Sequence, residues 1–260
     1  MSRFAKNLLI IQAHPDDAEA WSAGTLSLLK DKGWTITIAS LTAGNMGGVG
    51  MSEEETVATR VEEAKAAAAA LGANFHCFMR RDAYLFDSEE LRIEVVSLIR
   101  KVKAGVVITH APFDYHQDHR TTCQVVDAAA IVSSLPNVPS PEPPLDITPL
   151  LYHGMPMSLS DPLGNPVPEP HFFVDISGKP MEKKMEMLTH HKTQQDLMRL
   201  MHKMDDFFGE MRIFNAELGA MVGCAEAECY WQHLGGGYQK DPLLQEELAP
   251  YIRHREENQK

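Results

Sequence analysis

Histidines and carboxylates that could bind a metal or move a proton are concentrated in two short stretches of the sequence. In the first, HPDD, His14 and Pro15 precede the adjacent carboxylates of Asp16 and Asp17. Neutral imidazole and carboxylate are both good ligands for zinc. Two neighbouring carboxylates repel each other, and a divalent cation that binds one of them removes this cost. The other carboxylate would then remain beside the metal, where a general base is needed.

The second stretch, HAPFDYHQDH at residues 110–119, contains three histidines and two aspartates. If a helix begins near Asp118, His119 lies in its first turn and can point back towards the strand ends. Asp118 can then hold a neighbouring histidine, His116, in its cationic form. The spacing therefore allows one histidine to ligate a metal while another takes part in proton transfer.

Together the two stretches can supply a catalytic zinc site. Ligation by a set such as His14, Asp17 and His119 would leave one of about four tetrahedral positions open. An open position indicates catalysis, because zinc lowers the pKa of a bound water to about 7. Asp16 could complete the deprotonation, and a cationic His116 could stabilise an oxyanion or protonate a leaving amine. The residue types predict metal-assisted hydrolysis of an amide or ester.

The elements that must position these residues alternate between strand and helix, which predicts an α/β fold. Buried or β-branched runs predict strands at 7–13, 34–41, 74–79 and 106–110. Helical patterns follow at 19–32, 52–72, 88–105 and 118–135. Such alternation gives a mostly parallel sheet with helices on both faces. Both stretches directly follow predicted strands, at the edge of the sheet where such folds bind ligands.

The second half of the chain differs in composition. It begins with a proline-rich stretch at 136–149 that must form a loop or an extended segment. Further elements are predicted as strands at 150–157 and 171–176, a long helix at 179–208 and a short helical segment at 214–231. We expect one domain over 1–260, with a core at 7–135, an accessory segment at 136–230 and a tail at 231–260.

Bulk composition limits the classes of partner. The chain has 260 residues, of which 44% are hydrophobic, and a formal net charge of −12. This acidity argues against binding to nucleic acid or to anionic membranes. No stretch approaches the roughly 20 apolar residues of a membrane helix. The four cysteines form no C-x-x-C pair, and the first residues lack a signal-peptide cleavage site, so we expect a cytoplasmic protein.

The two stretches, in this order, resemble the motifs of the LmbE-like, or PIG-L-type, zinc deacetylases. The resemblance rests on AHPDDAE and, about a hundred residues later, on HQDH, and it extends over residues 7–230. Weaker likenesses occur in LTAGNMGG, RRD, HHKTQ and CAEAE. The commonest form of the first motif has Glu directly after the second Asp, where this chain has Ala18.

The resemblance implies a Rossmann-like fold with C-terminal accessory strands and helices, and one divalent metal per chain. Zinc is the expected metal, although another divalent ion could occupy a site of histidines and aspartates. Site roles carried over by motif position are metal ligation by His14, Asp17 and His119, general-base catalysis by Asp16, and oxyanion stabilisation or acid catalysis by His116 with Asp118 orienting it.

The resemblance also implies a substrate class, namely small molecules or glycoconjugates that contain N-acetylglucosamine and lose their acetyl group. By similarity, Arg60 and Asp82 would hold the sugar, although Arg60 could instead form a surface ion pair with Glu63. Cleavage of another amide on a glucosamine conjugate is the nearest alternative activity. Relatives that assemble as trimers or hexamers make a homo-oligomer possible. The CAEAE segment often faces the substrate or a neighbouring subunit.

Three other functions compete with deacetylation. GNMGGVG lies between a strand and a helix, as a phosphate loop would, but its spacing is not G-x-G-x-x-G and no P-loop lysine follows. We expect its glycines to let the backbone approach the metal site. A metal-dependent phosphohydrolase would use similar clusters, usually with two metals. A catalytically idle sugar-binding protein would need neither Asp16 nor His116.

Overall fold

An eight-stranded sheet runs through the computed structural model, which describes residues 2–255. Its order is β3-β2-β1-β4-β5-β7-β6-β8. The strands are β1 Asn7–Gln12, β2 Thr35–Thr42, β3 Asn74–Arg80, β4 Val106–Thr109, β5 Leu150–Gly154, β6 Phe172–Asp175, β7 Ala227–Gln232 and β8 Ile252–Arg253. The first five strands pair in parallel, and β7 and β8 pair antiparallel with their neighbours. The predicted mostly parallel α/β fold is confirmed.

Helices cover both faces of the sheet, which therefore has a hydrophobic core on each side. The helices are α1 Asp17–Asp31, α2 Glu53–Leu71, α3 Glu89–Lys101, α4 Gln117–Val132, α5 Lys179–Leu188, α6 Lys192–His202, α7 Phe207–Ala220 and α8 Leu243–Glu247. One core contains the buried side chains of α1 and α5, and the other contains those of α3 and α4. Strands between two such layers must be apolar on both sides, and the last five residues of β1 are all buried.

Helix α2 begins and ends where its sequence indicates. The Ser52 hydroxyl accepts a hydrogen bond from the backbone of Glu55, whose side chain returns to the backbone of Ser52 in a capping box. Gly72 ends the helix in the left-handed region at φ 69°. This helix carries Arg60 on its buried side.

The predicted long helix at 179–208 is wrong, because the chain turns twice within it. Helix α5 ends at Leu188, α6 occupies Lys192–His202, and α7 begins at Phe207. Lys203 takes a left-handed conformation at φ 52°, which ends α6. Asp206 then caps α7 by accepting a hydrogen bond from the Gly209 backbone.

The predicted helical segment at 214–231 is correct only for its first part, since α7 ends at Ala220. Residues Ala227–Gln232 instead form β7, which pairs antiparallel with β5 and with β6. All six residues of β7 are buried, so sheet pairing and packing outweigh the helix-favouring composition of this segment.

The proline-rich stretch at 136–149 forms neither helix nor strand up to Pro149, as predicted. The buried guanidinium of Arg100 holds this stretch and the residues before it by donating to the carbonyl oxygens of Ser133, Leu135, Val138 and Glu142. The accessory strands join the same sheet as the core strands. The division into core, accessory segment and tail stays a prediction, and Met1 and residues 256–260 lie outside the described range.

No helix in the part of the chain that the structure describes is long and apolar enough to cross a membrane.

Candidate metal centre and active-site pocket

The register of the sheet brings the two histidine and aspartate stretches together. Strand β1 pairs in parallel with β4, with Leu8 opposite Val106 and Ile10 opposite Ile108. The carboxyl ends of neighbouring parallel strands lie at the same edge of the sheet. His14 follows β1 and His110 follows β4 at this edge, and helix α4 begins with the second stretch.

Three donor atoms of His14, Asp17 and His119 form a nearly equilateral triangle. His14 Nδ1 lies 3.3 Å from Asp17 Oδ2 and 3.3 Å from His119 Nε2, and His119 Nε2 lies 3.4 Å from Asp17 Oδ2. A tetrahedron with bonds of about 2.0–2.1 Å has edges of about 3.3–3.4 Å, so the spacing matches one face of a zinc coordination sphere. The donor set therefore fits a small divalent metal, and the ligand roles of these residues stay predictions.

A separate carboxylate orients each of the two histidines. His119 Nδ1 donates to Asp114 Oδ1 at 2.9 Å, which makes Nε2 the nitrogen with a free lone pair. His14 Nε2 lies 3.3 Å from Asp118 Oδ2, which leaves Nδ1 as the ligating nitrogen. Carboxylates that accept from the outer nitrogen of a metal-binding histidine set its tautomer and ring orientation. The side chains of Asp114 and Asp118 therefore hold these two imidazoles ready for a metal.

Negative charge is concentrated where a cation would bind. Burial opposes the ionisation of Asp17, but His119 and His14 outweigh it and hold the pKa of this carboxyl well below its usual range. Burial likewise opposes the charge on His14 and His119, but Asp17 and the orienting carboxylates raise the pKa of His14 to about 9 and that of His119 to about 10. The arrangement favours positive charge at the centre of the triangle.

The predicted interaction between Asp118 and His116 differs from the structure. The Asp118 carboxylate contacts His14 and accepts from the Ala83 backbone at 2.7 Å. His116 Nδ1 instead accepts from the backbone N–H of Asp118 at 3.2 Å, as the N-cap of α4. Burial lowers the pKa of His116, which favours the neutral imidazole over the predicted cationic form. A neutral His116 with Nδ1 as acceptor carries its proton on Nε2, where it can donate to an oxyanion.

Asp16 is held apart from the three donor atoms by its backbone and by Arg60. Its φ of 116° is a strained conformation for any residue other than glycine, and such strain is found at functional sites. The Asp16 carboxylate accepts from Arg60 Nη2 at 3.2 Å. Burial raises the pKa of Asp16 to about 6, although the Arg60 guanidinium lowers it. A carboxyl with this pKa beside the triangle has the properties of a general base.

Arg60 lies at the site, but its nitrogens are largely occupied by the protein. It is 3% exposed and donates to the carbonyl oxygens of Pro15 and Gly44 as well as to Asp16. The surface ion pair with Glu63 does not form, because the Glu63 carboxylate accepts from Thr193. Arg60 is therefore placed to position Asp16, and its predicted contact with a sugar is not tested by these hydrogen bonds.

The glycine-rich loop packs against Arg60, and Gly47 lines the same cavity as His14 and Asp17, so the loop approaches the site by way of Arg60. Gly44 has φ 68°, and a Cβ built on it would collide with the Arg60 guanidinium. A Cβ on Gly47 would lie only 2.6 Å from Arg60 Nη1. Absence of side chains at these positions lets the loop close over Arg60.

A cavity of about 420 Å³ opens over the triangle. Asp82 lines it, is 7% exposed and accepts from the Met46 backbone at 2.8 Å through Oδ1. The cavity therefore contains the three donor atoms, Asp16, His116 and a third carboxylate, Asp82. This arrangement can bind a metal, take a proton from water and donate a hydrogen bond to a developing oxyanion.

Sequence reasoning gave no role to Asp114 or His110, although both lie in the second stretch. His110 accepts from the backbone N–H of Ala13 at 2.9 Å through Nε2, so its lone pair is not free for a metal. Burial lowers the pKa of His110 to about 4, and its ring stacks on His119 at 3.9 Å between centroids. The one sequence signal for the role of Asp114 was its spacing from His119, since the side chain of a loop residue just before a helix can contact the first turn of that helix.

The sequence also gave no indication of a buried histidine–glutamate pair that lies near Asp16. His191 Nε2 lies 3.7 Å from Glu19 Oε1, and neither atom has a hydrogen-bond partner among the described residues. Glu19 and His191 are each 1% exposed.

Ala18, the departure from the commonest motif, is 2% exposed and packs in the hydrophobic core, where a glutamate would be costly.

Comparison with known proteins gives both enzymes and solved folds that resemble this chain. A diacetylchitobiose deacetylase from Thermococcus kodakarensis is 30% identical over 195 residues, which are 73% of this chain and 70% of that protein. The structure of the N,N'-diacetylchitobiose deacetylase from Pyrococcus horikoshii superimposes with a TM-score of 0.74 and 25% identity, covering 92% of this chain and 87% of that chain.

Proteins of another activity share the fold. A 4-oxalmesaconate hydratase from Pseudomonas putida is 26% identical over 136 residues, 49% of this chain and 53% of that protein. The structure of a 4-carboxy-2-hydroxymuconate hydratase from the same species has a TM-score of 0.74 at 19% identity, covering 90% of this chain and 98% of that chain. At this identity the structural likeness shows the fold alone.

The family model for PIG-L, described as GlcNAc-PI de-N-acetylase, matches residues 9–130, which contain both stretches. With this match and with 30% identity over 70% of the Thermococcus deacetylase, the chain belongs to the PIG-L, or LmbE-like, family.

Proposed function

We propose that this protein is a metal-dependent hydrolase that removes the acetyl group from an N-acetylglucosamine-containing small molecule or glycoconjugate. The observation that carries the proposal is the triangle of His14, Asp17 and His119 donor atoms with Asp16 beside it in the same cavity. The diacetylchitobiose deacetylases and the GlcNAc-PI de-N-acetylase description support the substrate class.

Zinc is the metal we propose, one ion per chain, held by His14, Asp17 and His119. Bound there, it would act as a Lewis acid and lower the pKa of water to about 7. The orienting carboxylates, Asp114 and Asp118, contact the outer ring nitrogens, so His119 Nε2 and His14 Nδ1 face the triangle, where a bound metal would displace the protons that the raised pKa values favour.

Asp16 takes a proton from the attacking water in this proposal. Arg60 fixes the orientation of its carboxylate, and burial keeps the pKa of Asp16 high enough for it to accept the proton and later release it. His116 donates from Nε2 to the oxygen of the amide as negative charge develops on it. When the amide C–N bond breaks, the Asp16 proton passes to the departing amine, which gives acetate and the free glucosamine amine.

Sugar binding is assigned mainly to Asp82. Its Oδ1 accepts from the Met46 backbone, and the structure describes no hydrogen bond to its other oxygen. A carboxylate oxygen that faces a cavity suits the hydroxyl groups of a sugar. Arg60 would contribute indirectly, because its donors are directed to Pro15, Gly44 and Asp16.

Hydration is the competing activity, since a Pseudomonas hydratase is among the relatives. The names of these hydratases describe carboxylate-bearing substrates, which need cationic partners. Apart from the proposed zinc, Arg60 is the one permanent cation among the described residues that line the cavity, and it already faces Asp16, whereas Asp16, Asp17 and Asp82 add negative charge. The cavity therefore suits a neutral amide of an amino sugar better than a polycarboxylate. Cleavage of another amide on a glucosamine conjugate remains compatible with the same residues.

The decisive experiment measures acetate release by the zinc-loaded protein. The panel contains N-acetylglucosamine, diacetylchitobiose and an inositol-linked N-acetylglucosamine, with a phosphate monoester and 4-oxalmesaconate as rival substrates. We expect acetate from at least one amino sugar and one zinc per chain by elemental analysis. Phosphate release with two metals, or hydration without any acetate release, would show that the assignment is wrong.

A cytoplasmic location and a homo-oligomer such as a trimer or hexamer are further parts of the proposal. The thiols of Cys77, Cys123, Cys224 and Cys229 are unpaired among the described residues, which is compatible with a reducing compartment. Light scattering at several protein concentrations tests the oligomer.

A further inference from the structure

One wall of the cavity is built from a single face of helix α6. The α6 residues that line the cavity are Gln194, Leu197, Met198 and Met201. Their spacing of i, i+3, i+4 and i+7 places them on one stripe of the helix. The stripe is apolar at three of its four positions, so α6 presents hydrocarbon and thioether groups to the bound substrate.

Two more methionines extend this apolar wall. Met46 from the glycine-rich loop and Met157 from the segment after β5 also line the cavity. Met46 is 42% exposed, Met157 is 39% exposed and Met201 is 66% exposed. Large apolar side chains grouped around a cavity and left in contact with water indicate a binding surface. Methionine suits this role because its flexible, polarizable side chain adapts to the shape of an apolar ligand.

Helix α6 is attached so that its stripe stays over the cavity. The Glu63 carboxylate accepts from the backbone and the hydroxyl of Thr193, in the first turn of α6. Leu197 packs on the glycine-rich loop, since a Cβ on Gly47 would lie 3.4 Å from Leu197 Cδ2. The wall is therefore a fixed part of the site.

We propose that the physiological substrate carries an apolar group, such as an alkyl or aryl aglycone, on the acetylated amino sugar. This inference rests on the proposed deacetylase function. The acetyl group itself is small, and Asp82 with the catalytic residues forms the polar side of the cavity. The apolar wall is then left for the part of the substrate attached to the sugar. A second sugar, as in diacetylchitobiose, would place hydroxyl groups against methionine and leucine.

The test compares two substrates that differ only in the aglycone, the methyl and the octyl glycosides of N-acetylglucosamine. We expect kcat/KM of the zinc-loaded protein to be about tenfold higher for the octyl glycoside, mainly through a lower KM, because the chain buries apolar surface against the wall. The Met201→Gln variant should lower kcat/KM for the octyl glycoside about threefold to fivefold more than kcat/KM for the methyl glycoside.

Leu200→Gln is the matched control. Leu200 directly precedes Met201 in α6 and is 63% exposed, but it is not among the cavity-lining residues. This variant should keep the preference of the wild type for the octyl glycoside. Equal kcat/KM for both glycosides, or equal losses in both variants, would overturn the inference while leaving deacetylation intact. A preference for a longer N-acyl chain in place of the octyl aglycone would overturn it as well. Failure to release acetate from either glycoside or from any amino sugar would instead contradict the proposed function.

Discussion

Removal of the Asp114 carboxylate should weaken metal binding without unfolding the protein. Asp114 is 1% exposed, and its Oδ1 accepts from His119 Nδ1 at 2.9 Å and from the His116 backbone at 2.9 Å. The first bond sets the tautomer and ring orientation of a proposed ligand. The second fixes the loop that positions His116. One substitution therefore tests both the metal site and its support.

The size of the effect follows from these two bonds. Loss of a carboxylate that orients a metal-binding histidine costs about 10–100-fold in metal affinity, or about 1.4–2.7 kcal/mol. Asp114→Ala removes both bonds and should reach about 100-fold. Asp114→Asn keeps an oxygen of similar position but loses the negative charge, and hydrogen bonds to a charged acceptor are about twice as strong as neutral ones. We expect Asp114→Asn to lose about tenfold in zinc affinity.

Zinc affinity is measured by competition with a chromophoric chelator, and deacetylase activity is measured separately at saturating zinc. Asp127→Asn is the matched control, because Asp127 lies on α4, the helix that follows Asp114, and its carboxylate accepts from the Tyr238 hydroxyl at 2.7 Å, away from the triangle. Circular dichroism confirms that each variant is folded. The reasoning is refuted if folded Asp114→Ala binds zinc within twofold of the wild type, or if the Asp127 variant loses as much affinity.

Four further predictions follow from other contacts. Asp16→Asn should keep full zinc content and lose at least about 100-fold in kcat, since asparagine tolerates the positive φ but cannot accept the proton; normal acetate release by a zinc-loaded variant would contradict this. Lys184→Met should destabilise the fold by about 3–5 kcal/mol in urea denaturation, because it leaves the fully buried Glu228 carboxylate unpaired. Adding Glu228→Gln to Lys184→Met should recover part of the lost free energy of unfolding. A loss below about 1 kcal/mol in Lys184→Met alone would show that the buried charge pair is not needed for stability. Arg100→Lys should speed chymotrypsin cleavage after Leu145, the one leucine in 136–149, because lysine cannot bind four carbonyl oxygens at once; unchanged cleavage would show that the loop is held by other contacts. Chelation should abolish acetate release, and one equivalent of zinc should restore it, whereas a need for two equivalents would favour a dinuclear site.

Much of the fold was predictable from the sequence because its signals are local. The buried runs of the first four strands, the capping box of Ser52 and Glu55, and the stop at Gly72 depend on residues close together in the chain. The predictions failed where contacts across the sheet decide the outcome. Strand β7 forms because β5 and β6 flank it, and the helix expected at 179–208 is interrupted where Lys203 turns into the left-handed region.

The sequence alone indicated the chemistry that is available, since the residue types in HPDD and HQDH predict metal-assisted proton transfer. It also indicated that both motifs lie at the carboxyl edge of a parallel sheet. Only the tertiary structure decided which side chains of the site contact one another. Asp114 orients His119, Asp118 faces His14, and Arg60 holds Asp16. The physical reason is that such pairings depend on the β1–β4 register and on side-chain direction, which join residues about a hundred positions apart and leave no local pattern in the chain.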